Sequence, residues 1–113
     1  MANYVYLDNY SKKGKLGISY RVFDELVTTA LLNVKGITKS EKLMKRFQFI
    51  RLNRPVQTYI HKDVVHVSIY VDLAKGKDIH EVVSNIQEEV YNSLMMVTEQ
   101  VPINIQVNVE SMI

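Results

Sequence analysis

The chain has 113 residues, 47% of them hydrophobic, a formal charge of +2 and no cysteine. Its length suits one domain, 1–113, that buries roughly two thirds of its unfolded surface in a single core. The lack of cysteine excludes disulfides and thiolate metal sites and fits a reducing compartment. The opening MANYVYLDNY has neither the positive n-region nor the apolar h-region of a secretory leader, and nowhere do about 18 apolar residues run together, so the expectation is a soluble cytoplasmic protein.

Residues 1–13 form an N-terminal extension, flexible or strand-forming. Two short stretches, 4–7 and 15–18, compete to be the first strand, and the pattern does not choose between them. Gly14-Lys15-Leu16-Gly17 has the GxxG spacing of a KH-type nucleic-acid clamp, but that loop joins two helices and residues 1–13 show no helical period. It also lacks the extra glycine and the Lys-Ser/Thr ending of a phosphate loop, so it reads as a turn into a short strand.

Ser19 offers an N-cap hydroxyl, Asp24 and Glu25 suit the early turns, and Val22 or Phe23, Leu26, Val27, Ala30, Leu31 and Val34 recur at three- and four-residue steps. This spacing predicts a helix over 19–35, with Gly36 as its left-handed stop. A basic connector, 37–55, follows. Between Lys35 and Arg54 stand seven cations and one acid, the densest charge asymmetry in the chain. Lys39, Lys42, Lys45, Arg46, Arg51 and Arg54 are its candidates for binding an anionic surface. As a helix from Ser40, the segment sets Leu43, Met44 and Phe47 against Lys42, Lys45 and Arg46, a pattern that can lie on anionic lipid. As an irregular connector it lays Leu43, Phe47 and Ile50 over the core and leaves its cations solvated. The sequence leaves open whether it is helical or disordered.

Residues 56–73 alternate as a hairpin. A two-residue turn at Lys62-Asp63 sets Ile60 opposite Val65, Thr58 opposite Val67 and Val56 opposite Ile69 on one apolar face. Gln57, Tyr59, His61, Val64, His66, Ser68, Tyr70 and Asp72 share the other, polar and exposed face. Asp78 can cap a second helix over 79–98, striped by Ile79, Val82, Val83, Ile86, Val90, Leu94 and Val97. After Pro102, Ile103, Ile105, Val107 and Val109 alternate with Asn104, Gln106 and Asn108 as a last half-buried strand. The fold expected is α+β, two helices packed on one face of a mainly antiparallel sheet, in the order βαββαβ.

Little here points to catalysis. No Ser or Thr sits in a nucleophile elbow, and Glu88 and Glu89 point about 100° apart on their helix. His61 and His66 share a face as diagonal neighbours, with Asp72 further along, but no third close ligand can be placed for a metal. His80 falls in a first helical turn, where the dipole disfavours its charged form. The expectation is a non-enzyme with no cofactor and no small-molecule substrate. Tyr59, His61, His66, Tyr70, Asn104, Gln106 and Asn108 make up a candidate interaction face, neutral and amide-rich, suited to self-association or a protein partner. The alternative is a single-stranded nucleic-acid-binding module that uses this face and the basic residues of 39–54. VVHVSIYV lacks the glycine-aromatic signature of an RNA-recognition motif, which favours the former.

Gly14-Lys15-Leu16-Gly17-Ile18-Ser19 with Val22, then Ala30 to Val34 and Gly36-Ile37, resembles the opening of the alkaline shock protein family, also called the envelope stress response family. The likeness continues through Val67-Ser68-Ile69-Tyr70-Val71-Asp72, the helix 79–97 and Val107-Asn108-Val109, and covers about 14–110. The resemblance implies a small, abundant, non-enzymatic cytoplasmic protein of Gram-positive-type bacteria, involved in envelope stress or housekeeping. Some members are tethered to the membrane by a separate anchor protein, and some are linked to fatty-acid metabolism. It brings no catalytic residues. It implies a scaffold or interaction protein, self-associating or binding a partner in peripheral contact with the inner membrane surface. One departure is plain: members often have a glycine-rich connector after the first helix, whereas 39–55 here has no glycine and is strongly basic.

Overall fold

The computed structural model describes residues 2–8, 13–38, 49–95 and 101–113. Its elements, in chain order, are β1 (Tyr4–Asp8), β2 (Lys15–Ser19), α1 (Tyr20–Leu32), β3 (Ile37–Thr38), β4 (Ile50–His61), β5 (Val64–Leu73), α2 (Ile79–Met95) and β6 (Ile103–Met112). The class is α+β, with two helices and two sheets.

Both competing stretches at the start form strands. They pair with each other, Val5 opposite Ile18 and Tyr6 opposite Gly17, in a two-stranded antiparallel sheet of their own. The order is therefore ββαβββαβ and not βαββαβ. Each stretch is five residues long and only the short polar link NYSKKG separates them, so the nearest partner for either is the other. The hairpin touches the main sheet where the Ala2 N–H donates to the Ile60 carbonyl at 3.0 Å. Lys15 opens β2 directly after Gly14, which accords with a turn leading into a strand, and Gly17 lets the Tyr6 ring lie against the backbone opposite.

Ser19 caps α1, its hydroxyl accepting from the Arg21 N–H at 3.3 Å. The helix buries Phe23, Val27, Ala30 and Leu31. It ends three residues sooner than the apolar stripe predicts, because Asn33 and Val34 turn tightly and donate back to the carbonyls of Ala30 and Leu31. Gly36 takes its positive φ of 88° in the following turn, beyond the helix end; a Cβ there would collide with the Phe49 ring. Asp78 caps α2 by accepting from the Glu81 N–H at 3.2 Å, and α2 buries Val82, Ile86, Val90 and Leu94.

The larger sheet runs β3-β4-β5-β6. Lys62 and Asp63 both adopt left-handed backbone, φ 51° and 61°, the conformation of a two-residue type I′ turn. The expected register holds from His61 opposite Val64 to Gln57 opposite Ser68. It then shifts twice, between Gln57 and Arg54 and between Arg54 and Leu52, so the predicted Val56–Ile69 pair does not form. Pro55 lies inside this stretch and has no N–H to give the ladder. The sheet is mixed: β4 and β5 are antiparallel, but β6 joins β5 and β3 joins β4 in parallel. Antiparallel pairing holds the two hairpins, β1 with β2 and β4 with β5, and the Ala2–Ile60 bridge between them. α1 packs against β4 and α2, and α2 against β6, over a core in which Val65, Val67, Ile69 and Val71 are at most 1% exposed. Among the described residues no helix is long and apolar enough to cross a membrane.

Candidate interaction face

The side of the sheet away from the core is organised as rungs that cross three strands. Tyr59, His66 and Asn104 stand in one rung, Gln57, Ser68 and Gln106 in the next, then Arg54, Tyr70 and Asn108, and last Arg51, Asp72 and Ser111. Cross-strand neighbours of this kind lie close enough to touch, and here they do. The Tyr59 and His66 rings stack with centroids 4.7 Å apart and planes 9° from parallel. Asn104 Nδ2 lies 3.3 Å from His66 Nδ1, Gln106 Nε2 donates to Asn108 Oδ1 at 3.1 Å, and Asn108 Nδ2 donates to the Ile69 carbonyl at 3.4 Å. The Arg54 guanidinium sits 3.8 Å above the Tyr70 ring and pairs with Glu110 at 3.1 Å.

Arg54 can do this because of the shifts in β4. A single slip moves side chains to the opposite face of a sheet. The slip after Gln57 turns Arg54 outward, and the second restores Leu52 and Ile50 to the core side. Arg51 and Asn53 then converge on Asp72.

Asp72 is the correction to the sequence reading. It lies on the outer face as expected, yet it is fully buried instead of exposed. Arg51 donates to Oδ2 from Nε at 3.2 Å and from Nη2 at 2.8 Å, Asn53 Nδ2 lies 3.1 Å from both oxygens, and the Ser111 hydroxyl donates to Oδ1 at 2.7 Å. Burial by itself pushes the Asp72 carboxyl up, but hydrogen bonds from Ser111, Arg51 and Asn53, together with the Arg51 charge, outweigh it and hold the group below the usual carboxylate range. An ionised carboxylate with four donors ties β4, β5 and β6 together at one end of the sheet. Nothing about it suggests reactivity.

Of the expected face, Tyr59, His66, Tyr70, Asn104, Gln106 and Asn108 are brought together, while His61 stands exposed at the hairpin end opposite Val64. Of the expected cationic set, Arg51 and Arg54 lie in β4 and not in a connector, and both are engaged by carboxylates. Lys39, Lys42, Lys45 and Arg46, with Leu43, Met44 and Phe47, lie outside the described residues, as does Val97 of the expected second helix. Asn53, Glu110 and Ser111 are participants that the sequence reading missed. Ser111 and Glu110 sit in the strand pattern itself and were findable by extending β6; Asn53 depends on the shifts in β4, which alternation does not encode. Among the described residues no three His, Cys, Asp or Glu side chains gather in a way that could hold a metal. A groove of about 370 Å³ beside α2 sets Lys35 and Lys77 against Asp78 and Glu81, a balance of charges.

A model of the alkaline shock protein 23 family, a family with a cell envelope-related function, matches residues 8–113. No curated protein and no solved structure matches the chain.

Proposed function

The chain belongs to the alkaline shock protein family, and on that premise we propose that it is a non-enzymatic scaffold of the cell envelope. It works by presenting its outer sheet face to a second copy or to a protein partner, at or near the inner membrane surface. The observation that carries this reading is the set of rungs from Tyr59 to Asn108. They form a continuous polar surface whose side chains already hold one another in place. Such side chains have little freedom left to lose on docking, which lowers the cost of association. Tyr59, 40% exposed and backed by His66, has the rigid amphipathic character enriched at protein interfaces. Lys39, Lys42, Lys45 and Arg46 are proposed to add a peripheral contact with anionic lipid.

The same geometry disfavours the nucleic-acid reading. A stacking platform needs open aromatic faces, but Arg54 covers one face of Tyr70 and His66 one face of Tyr59. Two of the three arginines expected to meet phosphates, Arg51 and Arg54, are already paired with Asp72 and Glu110. Sedimentation velocity at rising concentration, with flotation on vesicles containing anionic lipid, tests the proposal. Self-association or flotation is expected. A chain that stays monomeric at high concentration and ignores both vesicles and envelope proteins contradicts it.

A further inference from the structure

The two edges of the larger sheet are finished differently. The β4 edge is occupied at both ends, by Ala2 at Ile60 and by β3 at Ile50 and Arg51, and the stretch between carries Pro55, Arg54 and two register shifts. These are the devices by which sheets discourage a further strand. On the β6 side, among the described residues, no strand lies beyond. β6 is ten residues long, INIQVNVESM, with no proline, no cation and Glu110 as its one charge. Its inward residues Ile103, Ile105, Val107 and Val109 are only half-buried, in contrast to the sealed β5 residues beside them.

The hydrogen bonds show which peptide groups face outward. The Val65 N–H donates to the Pro102 carbonyl at 3.0 Å across the β5–β6 boundary, so alternate groups turn to β5 and those of Ile103, Ile105, Val107 and Val109 turn away. Gln87 of α2 corroborates this: its Nε2 donates to the Ile105 carbonyl at 3.3 Å, a long bond from a side chain standing where a strand would donate.

We propose that β6 pairs with β6 of a second copy of this chain, antiparallel and edge to edge, about a two-fold axis at Val107. The inference rests on the reading of the chain as an interaction protein and names its contact. A second copy is the occupant because the strand complements itself. With Val107 opposite its own equivalent, Ile105 meets Val109 of the second copy, and their outward peptide groups oppose one another as exchanging pairs. On the outer face Gln106 meets Asn108 of the second copy, amide to amide. Asn104 meets Glu110 of the second copy, so no like charges oppose each other. Val83 and Tyr91, four residues either side of Gln87, extend an uncharged stripe along the same edge, and Tyr91 is 46% exposed. The product is a continuous eight-stranded sheet that doubles the outer face.

The test is sedimentation velocity of the full chain beside two variants. Val107→Pro removes an outward N–H and spares the β5 ladder; the double variant Q106K/N108K sets lysines opposite lysines. Wild type is expected to dimerise, and each variant to raise the dimer Kd by at least roughly tenfold with an unchanged circular dichroism spectrum. Mixing Q106K/N108K with Q106E/N108E is expected to restore a heterodimer. If Val107→Pro does not fold, hydrogen exchange at the outward Ile105, Val107 and Val109 amides of wild type decides, since edge-to-edge pairing protects them and contact through the outer face does not. A wild-type dimer whose Kd neither variant changes overturns the β6 contact and leaves the interaction reading standing. A strictly monomeric wild type overturns the β6 contact as well, and vesicle flotation and envelope-protein binding then decide the broader reading.

Discussion

At one end of the outer face Asp72 is sealed beneath Ser111, Arg51 and Asn53; at the other, Tyr59, His66 and Asn104 stand in a half-open rung. The same cross-strand spacing serves both. At the closed end four donors neutralise a buried charge, and the result is a fastener for three strands. At the open end the contacts are a ring stack and a side-chain amide against a ring, with exposed outer surfaces, so they order the face without closing it. The comparison teaches that position on a sheet face does not decide exposure. What decides it is whether neighbouring strands bring enough complementary groups to cover a polar side chain.

The largest effect is expected at the closed end. Asp72→Ala removes the carboxylate on which Arg51, Asn53 and Ser111 converge and is expected to cost about 3 kcal/mol in denaturant unfolding, whereas Ser111→Ala, which removes one donor, costs about 1 kcal/mol. The pH dependence has a defined sign. The folded carboxyl titrates below its unfolded value of about 3.9, so its stabilisation is present above that pH and is lost as the pH falls through the folded value. Acid unfolding of the wild type is therefore expected to be steeper below about pH 4 than that of Asp72→Asn, as followed by circular dichroism.

Thr58 sharpens the contrast from inside the core. It is 8% exposed and its hydroxyl oxygen is buried without a hydrogen-bond partner. Thr58→Val is expected to stabilise the fold by roughly 1 kcal/mol, seen as a gain in thermal midpoint. The smallest effects belong to the open end. Tyr59→Ala is expected to cost less than about 1 kcal/mol and Arg54→Ala a similar amount, while both weaken docking of a protein partner on the outer face. A Tyr59→Ala variant that unfolds as readily as Asp72→Ala breaks the comparison.

The sequence made the strand alternation, the Lys62-Asp63 turn and the Asp78 cap legible because each follows from local spacing or backbone preference. The rung of Tyr59 and His66 followed from the turn, since a two-residue loop fixes the register. What alternation missed began at Pro55. Two extra residues in β4 changed which side chains face outward, and with that came the Arg54 stack on Tyr70 and the closure over Asp72. The parallel pairing of β6 with β5 is equally invisible to a pattern that repeats every two residues in either direction. The pairing of β1 with β2 was hidden for another reason: both stretches qualified as strands, and only their mutual proximity joined them.

The most direct test of the outer face as the working surface is a concentration series of ¹H–¹⁵N correlation spectra on the full chain, in which the side-chain amides of Asn104, Gln106 and Asn108 report beside the backbone. The account predicts concentration-dependent shifts or broadening at those amides and along the β6 backbone, with the solvent side of α1 unchanged. Changes confined to α1 while the outer-face signals stay fixed would contradict it.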